Sequence, residues 1–292
     1  MRQFTALGER VAFAPMKDSF DDQPPAPPLT PPAERASLRN GLRFAFGTLT
    51  VLPARITRWD RPAARTGMAC APLAGLVVGL LAAVPGVLLL LLGGGPLLAA
   101  AVTVAVPAAL TRALHLDGLA DTADGLGSAK PAETALRIMK QSDIGPFGVV
   151  ALLLVLMAQA GALADLYAES WFHGALATVI AAVTARLAMT MAARDGVPPA
   201  RPEGLGAAVA GVLPKGSAIG IAALVAVLAG AAALPVGPGA AVQCAAAVLI
   251  ALAAAEHLLR RCVRRFDGVT GDVFGALAEV SATTALIVLA LG

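Results

Sequence analysis

The stretch from Ala71 to Leu92 reads APLAGLVVGLLAAVPGVLLLLL and holds 22 residues without one charge. A membrane-spanning helix needs about 20 apolar residues, because the hydrocarbon core of a bilayer is about 30 Å thick. A helix satisfies its backbone hydrogen bonds internally in lipid, and the alternating pattern of β-barrel strands is absent from this sequence. The stretch therefore predicts a transmembrane helix.

Six similar runs follow it, and the composition of the whole chain agrees with them. The chain of 292 residues is 58% apolar and 14% charged, whereas soluble domains are about 45–50% apolar and about 25% charged. An ordinary water-soluble enzyme is therefore excluded. The sequence predicts an all-α, polytopic integral membrane helical bundle with about seven transmembrane helices. The predicted spans are about 71–92, 97–114, 147–167, 174–193, 217–234, 240–259 and 276–291.

The basic residues alternate between the predicted loops. Of 22 Lys and Arg, 20 lie before the first span or in every second loop, and the turns at 93–96, 168–173 and 235–239 have none. The positive-inside rule then predicts a cytoplasmic N-terminus and long loops that face the cytoplasm. The net charge of +3 favours such basic loops over nucleic-acid binding.

Two domains are predicted. Residues 1–37 contain six prolines between Pro24 and Pro32, which favours an extended and flexible cytoplasmic tail. Residues 38–292 form a single membrane-embedded catalytic domain. Within it, the apolar stretch Leu42–Leu52 is too short to span and is predicted to lie at the interface or to re-enter the membrane.

An acidic cluster follows the second span. Asp117, Asp121 and Asp124 lie at i, i+4 and i+7, which places them on one helix face. Like charges this close repel each other unless a cation lies between them, and Mg²⁺ prefers such carboxylate oxygens. The alternative is a solvated acidic helix turn. Three glycines of the segment fit the approach of a bulky ligand to the backbone: Gly118, Gly125 and Gly127.

Five cationic residues are candidate phosphate contacts. Arg137 has the alternative of a surface pair with Glu133, and an intramembrane Arg186 has the alternative of a structural salt bridge. The candidates are Arg137, Lys140, Arg186, Arg201 and Lys215.

A second acidic group begins the last span. Asp272 and Glu279 share a helix face with Gly275, which predicts a second carboxylate group for metal or substrate. Thr270 is well placed to cap this helix, with Asp272 in its first turn. Capping alone explains these two residues but not Glu279.

Taken together, these motifs resemble the cobalamin synthase family over residues 38–292. They are HLDGLADTADG at 115–125, IMK and IGPFG between 138 and 148, Gly204-Leu-Gly206, and Thr270-Gly-Asp272 before Glu279. Gln141 and Asp143 depart from the residues common in that family, which puts in doubt any role for 141–143.

The resemblance implies a multi-pass enzyme of the bacterial inner membrane with its active site facing the cytoplasm. The implied reaction joins adenosylcobinamide-GDP to α-ribazole, or to its 5′-phosphate, with release of GMP. It also implies Mg²⁺ as cofactor, which we assign to Asp117, Asp121 and Asp124, with either Asp124 or Asp272 as the proton acceptor. Thr270 and Glu279 join the five cationic residues as substrate contacts. Other enzymes of cobalamin assembly are candidate partners.

Two alternatives remain open at this point. A CDP-alcohol phosphatidyltransferase performs similar Mg²⁺-dependent chemistry, but Asp121 stands where its usual signature has arginine. An ion-coupled transporter would place its carboxylates at the bilayer midplane, often in repeated halves, and the sequence has no clear internal repeat.

Overall fold

The computed structural model describes residues 36–291, which form eleven α-helices and no β-strand. The residues 1–35 of the predicted tail lie outside this range. The helices are α1 (Leu38–Leu49), α2 (Arg61–Leu91), α3 (Pro96–Leu110), α4 (Leu114–Gly127), α5 (Ala132–Ile138), α6 (Pro146–Glu169), α7 (Trp171–Ala192), α8 (Leu205–Val209), α9 (Lys215–Ala233), α10 (Pro238–Phe266) and α11 (Gly271–Ala290).

The predicted membrane bundle is confirmed. Within the described range, six helices are long and apolar enough to cross a bilayer, namely α2, α6, α7, α9, α10 and α11, and a bent pair of α3 and α4 brings the number to seven. Two helices extend well beyond the predicted spans: α2 begins at Arg61, and α10 continues to Phe266. Arginines in these end turns keep their charged heads in water while their stems cover apolar surface, so helices can extend beyond the hydrocarbon.

The second predicted span is interrupted. Pro107 lies in α3, and Arg112 and Ala113 adopt positive φ angles of 53° and 56° after it. The axis turns by 88°, and α4 begins in a new direction. The two helices therefore form a broken span or a re-entrant segment, and α4 with its three aspartates lies at the basic end of the bundle.

The centre of the bundle is α7, whose packing against α2 depends on small residues. A Cβ on Gly75 would lie 2.4 Å from the backbone oxygen of Ala182, and one on Gly79 would lie 2.8 Å from the Cα of Val179. Small residues let membrane helices approach this closely. The outer helices instead expose large apolar side chains such as Leu154 and Val242, as expected for surfaces that face lipid.

The helix α4 lies directly against the start of α11. A Cβ on Gly118 would be 2.6 Å from the backbone oxygen of Asp272, and one on Gly275 would be 3.1 Å from His115. The same holds elsewhere on α4, where Gly127 contacts the ring of Phe147. The prediction that a ligand approaches these α4 glycines is therefore wrong, because neighbouring residues occupy the space.

The short helix α1 covers the predicted interfacial stretch and packs on α2. Phe44 is buried, and its ring lies 5.1 Å from that of Trp59 in the connection to α2. A Cβ on Gly67 of α2 would meet the Phe44 side chain at 2.5 Å. The helix α1, with twelve residues, is therefore part of the folded domain.

Candidate active site

The three aspartates of α4 have different surroundings. Asp124 is buried, and its two oxygens accept hydrogen bonds from the backbone N–H groups of Gly145 (2.8 Å) and Gly148 (3.0 Å). It therefore satisfies donors that the start of α6 would otherwise leave without partners. The carboxylates of Asp117 and Asp121 make no hydrogen bond within residues 36–291 and remain available for a ligand.

The aspartates of α4 interact electrostatically with Asp272 at the start of α11. Burial, followed by the negative charges of Asp117, Asp272 and Asp124, raises the pKa of Asp121 to about 7, and Arg201 only partly offsets the rise. The carboxylates therefore lie close enough to interact across the α4–α11 contact. A cation placed among them would relieve the repulsion.

Arg201 is the cation whose charge acts on this cluster. Its charge acts on both Asp121 and Asp272, and its Nη2 donates to the backbone oxygen of Leu136 in α5. The preceding loop is fixed by backbone hydrogen bonds, from Ala200 N to Val269 O at 2.9 Å and from Val269 N back to the loop at 3.0 Å. Arg201 is thus held beside the acidic cluster by two separate elements.

The capping interpretation of Thr270 is confirmed. Its Oγ1 accepts a hydrogen bond from Val273 N at 3.4 Å and donates to Asp272 Oδ2 at 3.1 Å. The negative charge of Asp272 in the first turn of α11 is favoured by the helix dipole. The hydrogen bond from Thr270 helps to fix the Asp272 carboxylate, whose charge acts on Asp121.

A cavity of about 270 Å³ opens beside this group. Its walls include His115, Arg201, Gly204, Thr270 and Asp272. The Nε2 atom of His115 is buried and makes no hydrogen bond with any part of the chain that the structure describes. Buried polar atoms are nearly always paired, so this nitrogen is available to a group bound in the cavity.

The structure separates Arg186 and Glu279 from this cavity. Arg186 is only 3% exposed, and its Nε and Nη2 atoms have no hydrogen-bond partner within the described range. Gln159 donates to Glu279 Oε2 at 2.9 Å and to Thr283 Oγ1 at 3.0 Å. A second, smaller cavity of about 60 Å³ contains Gln159, Arg186 and Glu279 in its wall.

Gln159 was missed in the sequence. The signal was present, because an amide in the middle of the apolar helix α6 is costly unless it is paired. With Arg186 and Glu279 it forms a polar group inside the membrane bundle, deeper along α11 than Asp272.

The other predicted phosphate contacts lie at the surface. Arg137 is exposed and forms the alternative pair with Glu133, at 3.8 Å. Lys140 lies 3.7 Å from Glu203, which borders the 270 Å³ cavity. Lys215 lies in a different groove, beside Arg194.

The oxygen donors fit Mg²⁺ in chemistry, although among residues 36–291 no three His, Cys, Asp or Glu side chains converge as a metal site. Mg²⁺ usually keeps several waters and takes only one or two carboxylates from the protein. Asp117 and Asp121 are free of hydrogen bonds and repel each other, so the two of them suit a hydrated ion. A convergent set of three ligands is not required.

Comparison with known proteins assigns the chain to a family. The family model for cobalamin-5-phosphate synthase matches residues 41–290. A Frankia casuarinae protein named adenosylcobinamide-GDP ribazoletransferase is 43% identical over 85% of this chain and 94% of its own length. Proteins of the same name from a Nocardioides species and from Bradyrhizobium diazoefficiens are each 40% identical, over 86% and 85% of this chain and over 98% and 92% of their own lengths.

No solved structure matches the chain. The sequence relationships, however, extend over nearly all of the membrane domain, including α4, the Arg201 loop and α11. The chain therefore belongs to the cobalamin-5-phosphate synthase family.

Proposed function

We propose that the chain is an adenosylcobinamide-GDP ribazoletransferase. It joins adenosylcobinamide-GDP to α-ribazole, or to its 5′-phosphate, and yields adenosylcobalamin, or its phosphate, and GMP. The observation that carries the proposal is the electrostatic group of Asp117, Asp121, Asp272 and Arg201, of which Arg201 and Asp272 form part of the wall of the 270 Å³ cavity. The names of the related proteins support the same substrate.

The bond changes require little of the protein beyond positioning and charge. A ribose hydroxyl oxygen forms a bond to the phosphorus attached to cobinamide, the bond between that phosphorus and the bridging oxygen breaks, and GMP leaves with the electron pair. Catalysis of such transfers rests on positioning and electrostatic stabilisation. Mg²⁺ held by Asp117 and Asp121 would supply neutralisation of the diphosphate charge.

The protein's own residues divide the remaining roles. Arg201 contacts a phosphate oxygen, since it lies beside the acids and opens into the cavity. Asp272 accepts the hydroxyl proton. It is preferred to Asp124, because both oxygens of Asp124 already accept backbone N–H groups. His115 donates to or accepts from the bound substrate through its unpaired Nε2.

The reaction is assigned to the cytoplasmic side of the bacterial inner membrane. The ends of the spanning helices that carry the basic residues also carry α4, the Arg201 loop and the start of α11, and basic loops face the cytoplasm. The native cysteines are all buried. Lys140→Cys in spheroplasts should therefore stay protected from an impermeant maleimide while Gly95→Cys reacts, and the opposite pattern would overturn the orientation.

A direct assay tests the function. Protein in liposomes receives adenosylcobinamide-GDP, α-ribazole and Mg²⁺, and both GMP and cobalamin are measured. Asp121→Asn should lower turnover by about 10²–10³-fold, whereas Asp143→Asn, an exposed acid in the 141–143 loop, should leave it unchanged. No GMP release from folded protein, together with CMP release from a CDP-linked lipid, would replace the proposal with the phosphatidyltransferase alternative.

A further inference from the structure

A second groove lies at the basic end of the bundle, away from the acidic cluster. We call it the α7–α9–α10 groove. It has a volume of about 350 Å³ and lies between the end of α7, the start of α9 and the last part of α10. Its wall includes Arg194, Lys215, Ile219, Leu252, Glu256 and Arg260.

The rim of this groove carries an excess of positive charge. Arg194 Nη2 donates to both oxygens of Glu256, at 2.9 and 2.8 Å, and Arg260 Nε donates to the same carboxylate at 2.7 Å. Lys215 is exposed and forms no hydrogen bond or ion pair within residues 36–291. Among the residues of the groove wall, three cations thus face one carboxylate, which leaves an excess of two positive charges; the carboxylate of Asp195, next to Arg194, lies outside the wall.

The backbone holds these charges in place. Asp195 N donates to Leu213 O at 2.7 Å, and Leu213 N donates to Ala193 O at 3.0 Å, which ties the end of α7 to the segment that leads into α9. Lys215 is the first residue of α9, a helix of 19 residues. The dipole of that helix adds partial positive charge at the same point.

Below the charged rim the groove becomes apolar. Ile219 lies one turn further along α9 and is 60% exposed, and Leu252 lies one turn before Glu256 on α10. Both helices enter the apolar part of the bundle in this direction. The groove therefore combines cations where lipid head groups lie with apolar walls where acyl chains begin.

We propose that the α7–α9–α10 groove binds an anionic phospholipid, with its phosphate among Lys215, Arg194 and Arg260 and an acyl chain along Ile219 and Leu252. The excess of two positive charges favours an anionic lipid over a zwitterionic one. The apolar wall distinguishes a lipid from a soluble phosphate, which would use only the rim. The proposal assigns Lys215 to lipid rather than to the phosphates of the reaction, and it does not depend on the proposed function.

Native mass spectrometry of the full-length protein in detergent tests the proposal without any substrate. The protein is titrated with phosphatidylglycerol or phosphatidylcholine, and retained lipid is counted per chain. The Lys215→Ala/Arg260→Ala variant should bind phosphatidylglycerol about 10- to 30-fold more weakly, since each basic residue near the surface contributes about 1 kcal/mol. Phosphatidylcholine should bind more weakly than phosphatidylglycerol to the unaltered protein.

The matched control is Arg261→Ala/Arg264→Ala. Both arginines are exposed on the same helix, both lie outside the groove, and the change in net charge is identical. This variant should retain the lipid, and unchanged elution on size exclusion should establish that both variants are folded. Equal loss in the two double variants would overturn the proposal, and so would displacement of the lipid by millimolar glycerol 3-phosphate.

Discussion

Two carboxylates on α11 show how position changes the role of the same chemical group. Asp272 lies in the first turn, where it accepts a hydrogen bond from Thr270 and borders the 270 Å³ cavity. Glu279 lies seven residues further along, about 10 Å deeper, where Gln159 donates to it and Arg186 is close. They share one helix face, yet the first is open to a ligand and the second is enclosed by helices.

The difference follows from the cost of burying charge. An ion inside a membrane bundle is stable only when it is paired and hydrogen-bonded. Gln159 of α6 donates to Glu279, and the charge of Arg186 in α7 acts on it, so we expect Glu279 to help hold these three helices together. Asp272 lies where water and ligands reach it, so its charge remains available for chemistry. Three substitutions test whether structural and catalytic carboxylates are divided in this way.

The largest effect is expected from Arg186→Leu. This change removes the cation whose charge acts on the half-buried Glu279, which should lower the free energy of unfolding by about 3–5 kcal/mol. The measurement is unfolding in mixed micelles with increasing sodium dodecyl sulfate. Arg186→Met combined with Glu279→Leu should recover most of the loss, because no unpaired charge then remains. Normal stability with a large loss of turnover in the single variant would instead support Arg186 as a phosphate contact.

A smaller effect, on catalysis alone, is expected from Asp272→Asn. The amide keeps the shape of the side chain but cannot accept a proton, so turnover should fall about 100-fold, equivalent to about 2.7 kcal/mol. The unfolding midpoint should stay near that of the unaltered protein. GMP release is the measurement, and Glu279→Gln provides the comparison, with stability lowered more than turnover. Equal loss of stability in both variants would contradict the division of roles.

The smallest effect is expected from Asp124→Asn. An asparagine retains only one acceptor oxygen for the N–H groups of Gly145 and Gly148, and loss of such a cap costs about 1–2 kcal/mol. The dependence of turnover on Mg²⁺ concentration should stay unchanged, whereas Asp121→Asn should alter it. A matching shift in Mg²⁺ dependence for both variants would return Asp124 to the metal site.

Hydropathy and residue spacing predicted several helices of this protein and the location of its acidic motifs. The uncharged run Ala71–Leu92 predicted a span that α2 covers up to Leu91, and the spacing of Asp117, Asp121 and Asp124 predicted a helix that is present as α4. The alternation of basic loops placed the acidic motifs at one end of the bundle. These features depend on local composition or on residues less than three turns apart, which one segment determines by itself.

The sequence was less informative wherever the role of a residue depends on another helix. It did not predict the 88° bend after α3, the cap that Asp124 provides for α6, or the separation of Lys215 from Arg201. A charged side chain looks the same in the sequence whether it faces a cavity, a buried partner or lipid. Its neighbours decide among these environments through desolvation and pairing.

Composition and residue spacing were enough to predict a helical membrane protein with its chemistry-bearing residues at the basic end. Apolar segments of about 20 residues cross lipid as helices, and charged residues avoid lipid. The tertiary structure alone decided which of those residues act together. Close packing at Gly118 and Gly275 brings α4 against α11, so Asp121 and Asp272, which are far apart in the chain, share one electrostatic environment, while Glu279 is enclosed with Gln159 and Arg186.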